Sequence, residues 1–159
     1  MARLKNTFWH RNKFKLSGLI LILPIYFLYE SLQPPEFPEV WESKPVGQLE
    51  LALQPMNNEP PYAHHEDWVK DFSVWVNDGA VKNIRQAYIN IGPRPLPLNQ
   101  LEQDDVGILH GSESLQHVHA IASPNFSASD KVWLTLQNWD GSQHVQSWSL
   151  PPQWIGEQI

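Results

Sequence analysis

The chain has 159 residues, a mass of 18.4 kDa and a formal net charge of −6, and it contains no cysteine. This length suits one domain of ordinary size. The acidic balance argues against general nucleic-acid binding. The lack of a thiol excludes disulfides, thiolate metal sites, iron–sulfur clusters and covalent haem attachment. With 42% apolar and 18% charged residues, the composition is that of a folded protein and not of a disordered tail.

The charges divide the chain into two parts. Five of the eleven basic residues lie within the first fifteen positions, a segment that contains no acid. The rest of the chain has six basic and seventeen acidic residues, a formal charge of −11. The stretch Leu16–Tyr29 between them has no charged residue. A basic tail followed by an apolar run predicts an export signal or a membrane anchor.

We interpret residues 16–32 as an uncleaved transmembrane signal anchor, because no small-residue cleavage site follows them. Their helix would span about 25 Å, against a hydrocarbon core of ~30 Å. Pro24 in mid-span is expected to kink it. The positive-inside rule places the basic tail, residues 1–15, in the cytoplasm. The expected protein is therefore a single-pass protein of a bacterial inner membrane, with its C-terminal part in the periplasm.

Residues 33–46 are rich in proline and acidic residues, which favours an extended, semi-rigid linker. Trp41 belongs to this extended linker, and two other positions are open to it: the membrane interface, or a place folded back onto the next domain. Residues 47–159 form the predicted periplasmic domain, with about seven short alternating or apolar stretches separated by turn residues, among them residues 115–122 and 131–138. This pattern predicts an all-β fold, namely an immunoglobulin-like antiparallel β-sandwich of about seven strands.

The clearest hairpin signal in this domain is Asp140-Gly141. With a two-residue turn there, Trp133 would face Trp148 across the hairpin. A bulge would shift this register by one residue and separate the two rings. The alternating apolar residues of the first strand would then point into the core: Val132, Leu134 and Leu136.

Histidines supply the main functional hypothesis. His117 and His119 lie two positions apart on a predicted strand, so their rings share a face at about 6.5–7 Å spacing and can converge on one ion. His110 comes close to this pair if the segment between them is a hairpin. His64, in a loop cluster with His65, can add a ligand. The predicted metal ligands are thus His117, His119, His110 and His64, a sulfur-free set that suits Cu(II), Zn or Ni.

Plainer interpretations remain for the same residues. Histidines on a strand can be half-buried and hydrogen-bonded without binding a metal. The many tryptophans indicate an alternative function, an interaction module that binds a protein or glycan partner without metal. The sequence has no nucleophile elbow, zinc-protease motif or phosphate-binding loop, so an enzyme is not expected.

One N-terminal span, a short stalk and a β domain form a layout similar to that of the FixH/YtkA-like periplasmic proteins. The resemblance is one of architecture; it implies an association with copper and with oxidase assembly, and it assigns no residue. We therefore expect a membrane-anchored periplasmic accessory protein that binds a transition metal, with Cu or Zn as candidates, or assists the assembly of a metal-containing membrane complex. The expected partner is a protein in or near the inner membrane, and nucleic acid is not expected.

Overall fold

A computed structural model of the chain describes residues 7–103 and 105–155. The chain divides into two units, one reaching to Glu36 and the other beginning at Phe37. The described part of the first unit is helical, and the second is built mainly from β-strands. An apolar N-terminal helix and a mostly β domain confirm the coarse part of the predicted fold. Residues 1–6 of the predicted basic tail lie outside the described residues.

The first unit contains α1 (Phe8–Leu19) and α2 (Ile22–Ser31), which together are long and apolar enough to cross a membrane. Between them, the N–H groups of Ile20 and Leu21 donate to carbonyl groups only three residues back. Pro24 explains this interruption, because it has no N–H and its ring clashes with the carbonyl oxygen of Ile20. The disturbance expected from Pro24 therefore falls one turn before it.

The described residues of the second unit contain nine strands: β1 (Lys44–Val46), β2 (Leu49–Pro55), β3 (Tyr62–His64), β4 (Asp67–Asp78), β5 (Ile84–Gly92), β6 (His110–Gly111), β7 (Leu115–Ala122), β8 (Lys131–Asn138) and β9 (Gln143–Ser149). Short helices follow β5 and β9: α3 (Leu98–Leu101) and α4 (Pro152–Ile155). The hydrogen-bonded order is β1-β2-β4-β7-β5-β8-β9, with β3 also beside β4 and β6 also beside β7.

These strands form one sheet that is nearly closed, like a barrel. Side chains connect its first and last strands, β1 and β9. The ammonium group of Lys44 donates to the carbonyl oxygen of Ser147 at 3.0 Å, and the side-chain amide of Gln146 donates to the carbonyl oxygen of Pro45 at 3.1 Å. Strands β5 and β7 run parallel, so the sheet is mixed. The two separate sheets of an immunoglobulin-like sandwich are not confirmed, because the crossover that sets β7 beside β5 joins all described strands into one ladder.

Alternation along the strands separates the core from the outer face. On β7, Val118 and Ala120 are fully buried, while His117 and His119 lie on the opposite face. Complete burial of a valine or leucine side chain stabilises the fold by about 1.5–3 kcal/mol. The core residues predicted on β8 are confirmed as buried: Val132, Leu134 and Leu136.

Part of the predicted linker packs on the β unit. The backbone N–H of Trp41 donates to the carbonyl oxygen of Leu53 at 2.7 Å. Its ring meets that of Phe72 edge-on at 5.5 Å and lies 5.8 Å from that of Trp154. Of the two positions expected for Trp41, the structure therefore shows the one folded back onto the domain, and the folded unit includes residues before position 47.

The prediction of a two-residue turn between β8 and β9 is wrong. The N–H of Asn138 donates to the carbonyl oxygen of Ser142 at 3.0 Å, which leaves a three-residue loop. Gly141 in this loop has φ +85°, the left-handed conformation that such a bulged hairpin requires. The register shifts by one residue, so Trp133 and Trp148 lie on opposite faces and only Trp148 is fully buried.

Candidate metal centre

Strand pairing brings the predicted histidines to one patch of the outer face. β6 pairs with β7 so that His110 lies opposite His117. On the other edge of β7, Asp71 of β4 lies opposite His119. β3, which pairs with the first residues of β4, ends at His64. Residues that face each other on paired strands point to the same side of a sheet, so these side chains meet on the side away from the core.

The four histidine rings are neighbours in space. The ring centroids of His117 and His119 are 4.8 Å apart, with their planes at 85°. The His110 ring lies 5.2 Å from that of His117 and 6.3 Å from that of His119. The His64 ring stacks on that of His119 at 4.9 Å, with planes 15° apart. The structure thus groups all four histidines chosen from their spacing, while metal binding by them stays a prediction.

Asp71 and Tyr62 belong to the same cluster, and sequence analysis missed both. Nδ1 of His119 lies 2.6 Å from Oδ1 of Asp71. The Tyr62 hydroxyl donates to the two Asp71 oxygens at 3.1 and 3.0 Å and lies 3.4 Å from Nδ1 of His119. The only sign of Asp71 in the sequence is that it alternates with Ser73 on the polar face of β4. The contact between Asp71 and His119, which are 48 positions apart in the chain, becomes visible only when the strand pairing is known.

Three of these residues satisfy the distance requirement of a metal site. Asp71, His117 and His119 each offer one ligand atom, and the three atoms lie within 4.8 Å of one another. The site is accessible from solvent, because the side chain of His119 is 34% exposed and that of Asp71 is 22% exposed. Two imidazoles and a carboxylate are a donor set that suits Zn²⁺, Cu²⁺ and Ni²⁺.

Hydrogen bonds determine which ring nitrogens carry protons. Nδ1 of His110 lies 3.4 Å from the carbonyl oxygen of Ile108, and Nε2 of His110 lies 3.4 Å from Nδ1 of His117. A carbonyl oxygen can only accept, so Nδ1 of His110 donates, its Nε2 accepts, and Nδ1 of His117 donates. Asp71 likewise accepts from Nδ1 of His119. In the described part of the chain, these bonds use Nδ1 of both strand histidines and leave their Nε2 lone pairs as the candidate ligands.

Electrostatics favour the neutral forms of two groups in the cluster. Burial lowers the pKa of His117, the charge of His119 lowers it further, and Asp71 opposes the change. Burial raises the pKa of Tyr62, and its hydrogen bond to Asp71 acts in the same direction. At neutral pH, His117 is therefore an uncharged imidazole, the form that binds metals, and Tyr62 is a hydroxyl donor.

Two backbone positions shape the edges of the cluster. His65 has φ 53° in the two-residue turn between β3 and β4, and histidine adopts this left-handed conformation more readily than most residues do. Gly111 follows His110 with φ +148°, and a Cβ added there would lie 2.5 Å from the carbonyl oxygen of Leu115. The missing side chain therefore allows β6 to approach β7 closely. The remaining histidine of the β unit, His144, lies on β9 beside Gly47.

The family model described as Uncharacterised conserved protein UCP029505 matches residues 8–151. The match includes the apolar helices and all nine described strands, and the chain belongs to this family. No curated protein and no solved structure gives a significant match.

Proposed function

We propose that this member of the UCP029505 family is a membrane-anchored accessory protein whose β domain binds a divalent transition metal through His117 and His119. The observation that carries the proposal is the convergence of histidines from three strands around a carboxylate that accepts a hydrogen bond from His119. Metal-binding histidines usually donate their second ring N–H to a carboxylate or a carbonyl oxygen. Cu²⁺ and Zn²⁺ are the candidate ions, because imidazole suits both.

The proposed location is the bacterial inner membrane, with the N-terminus in the cytoplasm and the β domain in the periplasm. Its support is the apolar helical segment Phe8–Ser31 together with the positive charges that lie towards its N-terminal end. The proposed partner is a protein in or near this membrane, such as a metal-containing complex during its assembly. An immunoglobulin-like sandwich remains the proposed architecture of the β domain, and an experimental structure would test it.

Metal titration of the full-length protein in detergent tests the proposal. The full chain is needed because Trp41 and β1 are part of the folded unit. We expect one Cu²⁺ or Zn²⁺ per chain with micromolar or tighter affinity, and loss of binding in His117→Ala/His119→Ala. His144→Ala is the matched control, since it removes a histidine from β9 and leaves the cluster intact. No binding at micromolar metal, or equal binding by the double variant, would contradict the proposal.

A second candidate function is the binding of a protein or glycan partner without metal. The observation that favours it is the exposure of Trp139, 69%, together with the partial exposure of Trp68 and Trp75. Large aromatic side chains at a surface often anchor interfaces. This function predicts that Trp139→Ala weakens cross-linking to the partner in native membranes, whereas His117→Ala/His119→Ala does not. The opposite result would support the metal site as the functional element.

A further inference from the structure

We propose that a metal ion held at this site keeps coordination positions open for a nitrogen donor from outside the chain, namely a histidine side chain of a partner. This inference rests on the proposed function, because it requires a metal at His117 and His119. It adds to that function by distinguishing two kinds of residue in the cluster: His117 and His119 bind the ion, and other residues position these two rings. A closed structural site would instead take all of its ligands from the chain.

Asp71 is occupied by hydrogen bonds on both of its oxygens. Its Oδ1 accepts from Nδ1 of His119 at 2.6 Å, and the Tyr62 hydroxyl donates to Oδ1 and Oδ2 at 3.1 and 3.0 Å. Coordination of a metal by Asp71 would have to replace or share these contacts. The carboxylate therefore acts as a positioning residue that fixes the His119 ring and leaves Nε2 to bind the ion.

His110 is occupied in the same way. Its Nδ1 donates to the carbonyl oxygen of Ile108, and its Nε2 accepts from Nδ1 of His117, both at 3.4 Å. With both ring nitrogens engaged, His110 has no lone pair left for a metal. It is exposed at the edge of the cluster and serves to fix the tautomer of His117, as Asp71 does for His119.

His64 has the wrong ring orientation to share an ion with His119. The lone pair of an imidazole nitrogen lies in the plane of its ring, so a bound metal lies near that plane. The rings of His64 and His119 stack with their planes only 15° apart and their centroids 4.9 Å apart. Their lone pairs therefore lie in two nearly parallel planes and do not point to a common ion. The rings of His117 and His119, by contrast, stand at 85° to one another, an orientation in which two in-plane lone pairs can meet at one point.

Among the residues that the structure describes, the cluster therefore supplies two nitrogen ligands, whereas Zn²⁺ and Cu²⁺ usually take four or more. Water would fill the remaining positions of a bound ion and would give way to a stronger donor. Imidazole suits both ions, so the partner chemistry that fits is a histidine side chain. The partial exposure of His119 leaves room for such a group to approach from solvent.

Electron paramagnetic resonance of the full-length protein in detergent, loaded with one Cu²⁺ per chain, tests this inference, and imidazole serves as the probe. We expect nitrogen couplings from two protein imidazoles at first, and from one or two more after imidazole is added. His110→Gln and His64→Gln test whether either histidine is itself a ligand. Both should keep two protein nitrogens, and His110→Gln should bind copper about ten-fold more weakly because it loses a positioning residue.

A spectrum with three or four protein nitrogens that does not respond to imidazole would overturn the inference and leave the proposed function standing. Loss of one nitrogen coupling in either single variant would also overturn it, since that histidine would then be a ligand. Failure of the protein to bind copper at all would contradict the proposed function itself. A spectrum that changes with protein concentration would identify a second copy of the chain as the external donor, whereas a concentration-independent spectrum that responds to imidazole supports a position open to a donor other than a second copy.

Discussion

At the scale of single residues, the contact between Tyr62 and Asp71 determines how firmly the His119 ring is held. The hydroxyl donates to both carboxylate oxygens, and the carboxylate accepts from the ring at 2.6 Å. We predict that Tyr62→Phe lowers metal affinity about ten-fold while the fold is retained. Competition with a coloured chelator would measure this change.

Tyr88→Phe is the control for that substitution, because the Tyr88 hydroxyl donates to Gln86 at 3.4 Å and takes no part in the histidine cluster. Equal affinities for the Tyr62 variant and the wild type would show that Tyr62 does not position His119. A similar loss in both variants would indicate a general effect of removing a tyrosine hydroxyl from the sheet.

His117 makes the metal-free domain sensitive to acid. Burial lowers its pKa, so the unfolded chain takes up a proton on this ring at a higher pH than the folded chain does. The contribution of this group to stability is therefore complete above the unfolded pKa of about 6.5 and decreases as the pH falls through that value towards the folded pKa. We predict that wild type loses more stability than His117→Gln between about pH 7 and about pH 5, as urea unfolding would measure. Parallel pH profiles of the two proteins would contradict this prediction.

Sequence analysis could find the histidines but not the residues that position them. The pattern His117-x-His119 is local, and the two-residue period of a strand places both rings on one face. His110 depends only on the next hairpin. Asp71 and Tyr62 reach the cluster through strands that pair over long sequence distances, and no local pattern records which strands become neighbours. The orientation of His64 was likewise hidden, because it depends on the turn at His65.

At the scale of elements, the hairpin of β6 and β7 holds His110 against His117, and Gly111 sets its geometry. A Cβ at this position would meet the carbonyl oxygen of Leu115 at 2.5 Å, and φ is +148°. We predict that Gly111→Ala costs about 1 kcal/mol or more of unfolding free energy and also weakens metal binding. Urea unfolding and metal titration on the same samples would measure both effects.

Gly92→Ala on β5 is the matched control for this substitution. An added Cβ there would have its nearest neighbours at 3.9 and 4.0 Å, which is ordinary contact. Its unfolding free energy and metal affinity should stay close to those of the wild type. If both glycine variants behave alike, the close approach at Gly111 does not hold the hairpin in place.

The boundaries of two strands followed from the sequence, whereas other features of the sheet did not. β7 and β8 have clear alternation and flanking turn residues, and their predicted bounds, 115–122 and 131–138, are those observed. β1 and β3 have only three residues each, too few to show a period. The register of the last hairpin was missed because Trp139 joins the loop beside Asp140-Gly141, which lengthens it by one residue.

At the scale of the whole molecule, the segment before β1 is part of the folded β unit. Trp41 packs against Phe72 and Trp154 and pairs through its backbone with Leu53. We predict that Trp41→Ala destabilises the domain by about 3 kcal/mol, because it removes a large ring from a packed aromatic cluster. Trp139→Ala, at a position that is 69% exposed, should have little effect. Similar unfolding midpoints for the two variants would contradict this role of Trp41.

The all-β class and the apolar N-terminal segment were predictable because they depend on composition and local periodicity. The single mixed sheet was not. The crossover places β5 and β7 side by side in parallel although they are not consecutive in the chain, and alternation is the same for a strand in a sandwich or in a nearly closed barrel. The pairing of β7 with β4, strands that are far apart in the chain, sets Asp71 beside His119, so the position of this carboxylate depends on a part of the fold that sequence patterns do not reveal.

The proposed metal ligands are Nε2 of His117 and Nε2 of His119. The most direct measurement is long-range proton–nitrogen magnetic resonance of the histidine side chains in the full-length protein, before and after one equivalent of Zn²⁺. We predict a large shift of both Nε2 signals and retained protons on both Nδ1 atoms, with the signals of His144 unchanged. If the ring signals of His117 and His119 do not respond to zinc, or if the metal binds at Nδ1, the account is contradicted.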